Sequence, residues 1–156
     1  GVKLVIIGSG DIIDSLRRKA LEGEARERII FLPRMPWEEM MRYTMTCDAG
    51  LSLDTDTCLN QHCSLPNKLF DYIAAGLPVL VSSLPEVSAL VNSYACGIVI
   101  DELSPEAIAK KLQHLANDRS LLLRLRQGAE KARKELNWEK ERVREQELIR
   151  IVINSN

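Results

Sequence analysis

The chain has 156 residues, 46% of them hydrophobic, enough for one domain with a single buried core. Its 21 basic and 22 acidic residues leave a formal charge of −1, which excludes long-range attraction of nucleic acid or of an anionic membrane by the surface as a whole. No apolar run approaches the roughly 18–20 residues of a bilayer span, and no signal sequence is visible. The four cysteines, Cys47, Cys58, Cys63 and Cys96, show no CxxC spacing in a chain too large to need disulfide staples, so a reducing, cytoplasmic setting is expected.

In chain order, Lys3 to Ile7 reads as a short, buried, β-branched strand, which Gly8-Ser9-Gly10 turns into a helix with Ile12, Leu16 and Ala20 at helical spacing. Ile29 to Leu32 is a second strand, followed by a proline-bracketed loop from Pro33 to Pro36 and a helix carrying Met40, Met41 and Tyr43. Ala49 to Leu53 fits another strand. Asp54 to Ser64 is polar and irregular, and Leu65 to Ala75 is a strongly apolar helix with Ser64 as its N-cap, Gly76 as its C-terminal cap and Pro78 just beyond. Val79 to Val81 and Gly97 to Ile100 are two further strands around a short helix from Glu86 to about Asn92. After the N-cap pair Ser104-Pro105 the chain becomes wholly helical, with Ile108, Leu112 and Leu115 on one face and charge on the others.

Strands alternating with helices predict a Rossmann-like, three-layer α/β fold, a doubly wound parallel sheet with a helical C-terminal tail, over residues 1–156 as a single domain. Ligands of such folds sit at the carboxyl ends of the strands. The loops Gly8 to Asp11, Pro33 to Pro36, Asp54 to Pro66 and Ser82 to Glu86 are therefore where a site is expected. The chain opens on Gly1 almost directly at a strand, so an upstream part of the fold is expected to be absent.

The glycine turn does not make a dinucleotide fingerprint. Ile13 stands at the third glycine position, and the second strand ends Leu32-Pro33-Arg34 with no acid to hold a ribose. The stretch Ser64-Leu65-Pro66-Asn67-Lys68-Leu69-Phe70-Asp71 is more informative. A helix start presents amides and the positive end of a dipole, to which Lys68 adds a full charge, so a phosphate suits it. Asp71, three residues on, lies on roughly the same face of a hydrophobic helix, where a carboxylate needs hydrogen-bond donors. Two readings stand open: the hydroxyl pair of a ribose supplies those donors, or Lys68 and Asp71 form an ordinary ion pair worth about 0.2–0.5 kcal/mol.

This stretch, with Ala74-Ala75-Gly76-Leu77-Pro78-Val79 after it, resembles the nucleotide-sugar site of the retaining glycosyltransferases of family 4 (group 1), two-domain enzymes of the GT-B fold. Leu4 to Gly10, Ile30-Phe31-Leu32-Pro33, Cys47 to Ser52, Gly97 and Asn137-Trp138 are similar to the same family in the same order, so the resemblance covers nearly the whole chain. It implies the donor-binding domain of an enzyme that moves a sugar from a UDP-, GDP- or similar nucleoside diphosphate sugar, with no metal and no further cofactor. Pro66, Asn67 and Lys68 would hold the distal phosphate, with Ser64 at the same helix start. Asp71 would take the ribose hydroxyls, and Arg34 and Met35 would lie near the base. It further implies that the segment gripping the diphosphate and the N-terminal domain binding a sugar or lipid-linked acceptor lie outside this chain, which alone is expected to be inactive. Cell-surface polysaccharide synthesis at the inner face of a membrane, with peripheral association of the full enzyme, is the setting it suggests. Two residues depart from the family pattern: Cys63 stands where many members have a glutamate, and the ribose acid is Asp rather than Glu.

Two rival functions stand against this one. A GT-B-fold sugar-nucleotide epimerase needs acid/base groups around the sugar, for which neither His62 nor His114 is convincingly placed. A non-catalytic flavodoxin-like module acting as a phosphoacceptor needs an acidic pair, and only Asp54 follows a strand. Cys58, His62 and Cys63 match no common zinc spacing. His114 is expected on an exposed helix face. Trp138 is expected to pack the start of the final helix onto the domain, and that helix, with Val143, Leu148, Ile149 and Ile151, to run toward the absent one.

Overall fold

The structure is a computed structural model and describes residues 1–154. It divides into two compact units, Gly1–Tyr43 and Thr44–Asn156. Among the described residues no helix is long and apolar enough to cross a membrane.

In the first unit, β1 (Leu4–Ile7) and β2 (Ile29–Leu32) pair in parallel with Leu4 opposite Ile29, and α1 (Ile13–Glu22) and a 3-10 turn (Arg26–Arg28) make the crossover. The loop Pro33 to Pro36 leads into α2 (Trp37–Thr44), whose last residue opens the second unit. Burial here is shallower than the sequence predicts. None of β1 or α1 is fully buried, and Ile12 at the head of α1 is 66% exposed, because the two strands of this unit offer little surface to cover.

The second unit holds β3 (Gly50–Ser52), α3 (Leu59–His62), α4 (Asn67–Ala74), β4 (Val79–Ser82), α5 (Pro85–Tyr94), β5 (Gly97–Ile100), α6 (Pro105–Asn117), α7 (Arg119–Glu135) and α8 (Trp138–Asn154). Its sheet is parallel, in the order β3-β4-β5. All four residues of the central strand β4 are buried, as a strand covered on both faces should be. Alternation along it feeds two cores. Val79 and Val81 join Leu69 and Ile73 of α4, Val87 and Val91 of α5, and Ala129 and Ala132 of α7. Leu80 faces the other way, with Ile100 of β5, Leu115 of α6 and Leu125 of α7. Helices thus cover both faces, as the sequence pattern requires, and α7 contributes to both cores. Full burial of a side chain such as Leu69 or Ile73 contributes about 1.5–3 kcal/mol.

The helix ends follow local chemistry. Gly76, at φ 71°, closes α4: its N–H donates to the Ile73 carbonyl at 2.9 Å and the Leu77 N–H to that of Tyr72 at 2.9 Å, the paired bonds of a glycine-terminated helix. Ser104 caps α6 through the Ala107 N–H, as its sequence suggests. The helical tail is broken into three by caps that the sequence reading passes over. The Asp118 carboxylate accepts from the Leu121 N–H at 2.8 Å, and the Asn137 side chain accepts from Lys140 N–H at 3.1 Å.

Trp138 does not pack α8 onto the domain; it is 68% exposed. The Asn137 side chain makes the junction instead, donating to the Lys134 carbonyl at 3.0 Å. The apolar residues Val143, Leu148, Ile149 and Ile151 of α8 are likewise exposed. His114 is exposed on α6, as expected.

α5 ends at Ala95, which takes the left-handed conformation (φ 49°, ψ 42°) that α4 gives to a glycine. A Cβ there costs about 1–2 kcal/mol, partly offset by the entropy glycine adds to the unfolded chain. Ala95→Gly is expected to stabilise the chain by about 0.5–1 kcal/mol, read as a rise of a few degrees in Tm. An unchanged or lower Tm would show that the left-handed turn is not strained.

Candidate functional site

Helix α4 follows β3 and runs back against the parallel strands, so its first turn lies at their carboxyl ends, where open α/β sheets bind ligands. The helix starts later than its hydrophobic pattern suggests. Pro66, at φ −69° and ψ 139°, is the N-cap, and no side chain caps the helix. A residue before proline is disfavoured in the helical region, so Leu65 cannot extend α4 backwards, and Ser64 is too far off to cap it. Ser64, the N-cap expected from the sequence, thus does not cap this helix. Its hydroxyl lies 3.2 Å from the Gln61 carbonyl oxygen, to which it donates at the end of α3. That short helix is itself a departure from the irregular loop expected between Asp54 and Ser64.

Among the described residues no side chain accepts from the first-turn amides of α4, an arrangement suited to an anion. Asn67 and Lys68 are exposed there and Pro66 is half-buried. Lys68 does not turn to Asp71. Its Nζ donates to Asp54 Oδ1 at 2.8 Å, just past the carboxyl end of β3. Helical side chains lean toward the helix N-terminus, which carries Lys68 away from Asp71 and over the strand end. The second oxygen of Asp54 accepts from the Ser52 hydroxyl at 2.9 Å, and Ser52 is buried in β3. Burial alone would push the Asp54 carboxyl up; the hydrogen bonds from Lys68 and Ser52, with the lysine charge, outweigh it and hold it below the ordinary carboxylate range.

Asp71 is half-buried on α4 between the core residues Leu69 and Ile73. Next to it, the Tyr72 hydroxyl donates to the Leu51 carbonyl at 3.3 Å, and burial pushes its pKa up. The Tyr72 ring lies directly over Gly50, where only a residue without a side chain fits. β4 ends beside this region in Ser82, whose hydroxyl is buried with no hydrogen-bond partner among the described residues.

Of the residues singled out in the sequence, the structure thus groups Pro66, Asn67, Lys68 and Asp71 on α4 and sets Ser64 just before it. Arg34, exposed, and Met35, half-buried, lie in the loop after β2 of the other unit. Sequence reasoning missed Asp54 and Ser52 as partners of this helix start. The available signal was Ser52-Leu53-Asp54 at a strand's carboxyl end, with alternate residues on one side. Beyond it, His62 Nδ1 at the end of α3 lies 2.9 Å from Asp56 Oδ2 on the surface. Cys58 and Cys63 are exposed, and among the described residues no three His, Cys, Asp or Glu side chains gather as metal ligands.

Residues 1–132 match the family model described as glycosyl transferases group 1. No curated protein matches the chain in sequence. Among solved structures, WaaG, a glycosyltransferase involved in lipopolysaccharide biosynthesis, superposes with a TM-score of 0.70 at 18% identity over 86% of this chain and 34% of its own. Sucrose-phosphate synthase from Thermosynechococcus elongatus superposes with a TM-score of 0.73 at 19% identity, over 99% of this chain and 39% of its own. These likenesses establish the fold, a Rossmann-like α/β domain with parallel strands flanked by helices, as in the C-terminal half of GT-B enzymes. The chain spans little more than a third of the length of either.

Proposed function

The chain belongs to the glycosyl transferases group 1 family, and from that premise we propose that it is the donor-binding domain of a retaining, metal-independent glycosyltransferase of family 4. The donor is a nucleoside diphosphate sugar. The observation that carries this reading is the uncapped start of α4 with Lys68 beside it at the carboxyl end of the sheet and Asp71 one turn further along the helix. The distal phosphate lies on the amides of Asn67 and Lys68, and the ribose hydroxyls donate to Asp71. The family resemblance assigns contact with the base to Arg34 and Met35, in the loop after β2.

Transfer through an oxocarbenium-like transition state builds negative charge on the leaving diphosphate. Oriented amides and a lysine stabilise such charge without reorganising. The acceptor and the remaining diphosphate contacts fall to parts of the enzyme outside this chain. The role of WaaG in lipopolysaccharide biosynthesis supports cell-surface polysaccharide synthesis as the setting, with the enzyme in the cytoplasm at the inner face of the membrane.

Calorimetric titration with UDP, GDP, ADP, CMP and NAD tests the site. One nucleoside diphosphate is expected to bind, and Asp71→Ala to weaken it at least about ten-fold, roughly 1.4 kcal/mol. A preference for NAD, or binding indifferent to Asp71→Ala, would overturn the assignment of the ribose to Asp71.

A further inference from the structure

Lys68 is already engaged by an anion that belongs to the protein. The Asp54 carboxylate meets its ammonium at 2.8 Å, at the helix start proposed for the donor's phosphate. We propose that Asp54 is a tethered stand-in for that phosphate, holding Lys68 at the site until the donor displaces it; this rests on the donor-site reading of α4.

The two partners are not held alike. Asp54 is fixed at its other oxygen by Ser52, a buried residue of β3, and stands at a strand end. Lys68 reaches it on a flexible four-carbon stem, with its side chain 44% exposed and, among the described residues, no other hydrogen bond or ion pair. In the exchange the lysine is therefore the part that moves, and the carboxylate stays. With Asp54 ionised, the pair carries no net charge, so the lysine's attraction for an incoming diphosphate is largely cancelled until the pair opens. The same pairing keeps the lysine from extending into solvent and lowers the ordering cost when it turns to the ligand. An open-sided lysine would bind any passing anion. One that must leave a carboxylate selects for a ligand that brings more than a single contact, such as a diphosphate also held through its ribose.

The test is titration of the full chain with UDP, GDP and ADP, comparing wild type with Asp54→Asn, Asp56→Asn and Lys68→Met. Asparagine still accepts from Ser52 but loses the charge. Asp54→Asn is expected to bind the preferred nucleotide about two- to five-fold tighter, the range an exposed ion pair supports. Asp56→Asn, an equal charge change two residues away, should match wild type, and Lys68→Met should bind more weakly. Equal or weaker binding by Asp54→Asn, or an equal gain from Asp56→Asn, overturns the displacement and leaves the donor site standing. Nucleotide binding that is absent, or indifferent to Lys68→Met, overturns the donor-site reading and the displacement with it.

Discussion

Gly128→Ala is expected to destabilise the chain by about 2–3 kcal/mol and to lower Tm by roughly 5–10 °C. In an exposed helix the same change would stabilise by about 1 kcal/mol, because alanine is the better helix former. Here the surroundings reverse the sign. Gly128 is buried on α7 where that helix crosses the end of α5, and a methyl group would lie 2.2 Å from the Ala95 carbonyl oxygen and 2.5 Å from that of Tyr94. Both are backbone atoms, so no rotamer change relieves the overlap and the two helices must separate. Ala129 and Ala132, on the same stretch of α7, would lose contact with Val87 and Val91 in the core that α4 also enters. Urea and thermal unfolding measure the effect, and a variant as stable as wild type would mean that α7 and α5 are not in this register.

The second large effect links stability to binding. Gly50→Ala puts a methyl group 2.2 Å from Cγ and 2.3 Å from Cδ2 of Tyr72, at the root of the ring, where a flip does not help. The ring must leave, breaking its hydroxyl's bond to Leu51, or α4 must lift from β3. About 2 kcal/mol of stability is expected to be lost. Nucleotide binding should weaken as well, since Tyr72 adjoins Asp71. The double variant Gly50→Ala/Tyr72→Ala is expected to recover part of the stability loss relative to the sum of the single changes, the coupling expected of residues in direct contact. Strict additivity would mean that the clash at Gly50 is not with Tyr72.

How much of this was legible depended on distance along the chain. The strand-helix order, the Gly76 cap and the Ser104 cap are set by neighbours a few residues apart, and each stands where its local chemistry puts it. Ser64 failed as a cap although serine favours that role, because Pro66 has a stronger local constraint and delays the helix. α3, at four residues, is too short to show a hydrophobic period. Asp54 and Lys68 are 14 positions apart, so their pairing depends on β3 and α4 lying side by side, and helical spacing offered only Asp71 as a partner. The same holds for the tight positions at Gly50 and Gly128. Their neighbours, Tyr72 and Ala95, are brought by the tertiary fold, and nothing in the local sequence separates them from glycines that merely turn the chain.

α4 is in mechanical terms a cantilever. Its far end is clamped by the paired turn bonds at Gly76 and by buried Leu77 and Pro78, which run straight into the central strand, and Leu69 and Ile73 seat its underside. Eight residues give a beam about 12 Å long, with the helix start proposed for the donor's phosphate at its other end. A tilt of about 5° at the clamp would move that tip by about 1 Å, a misplacement large enough to spoil a preorganised site. The residues that most govern the aim of Lys68 and Asp71 thus include some that no ligand would ever touch, at the opposite end of the helix.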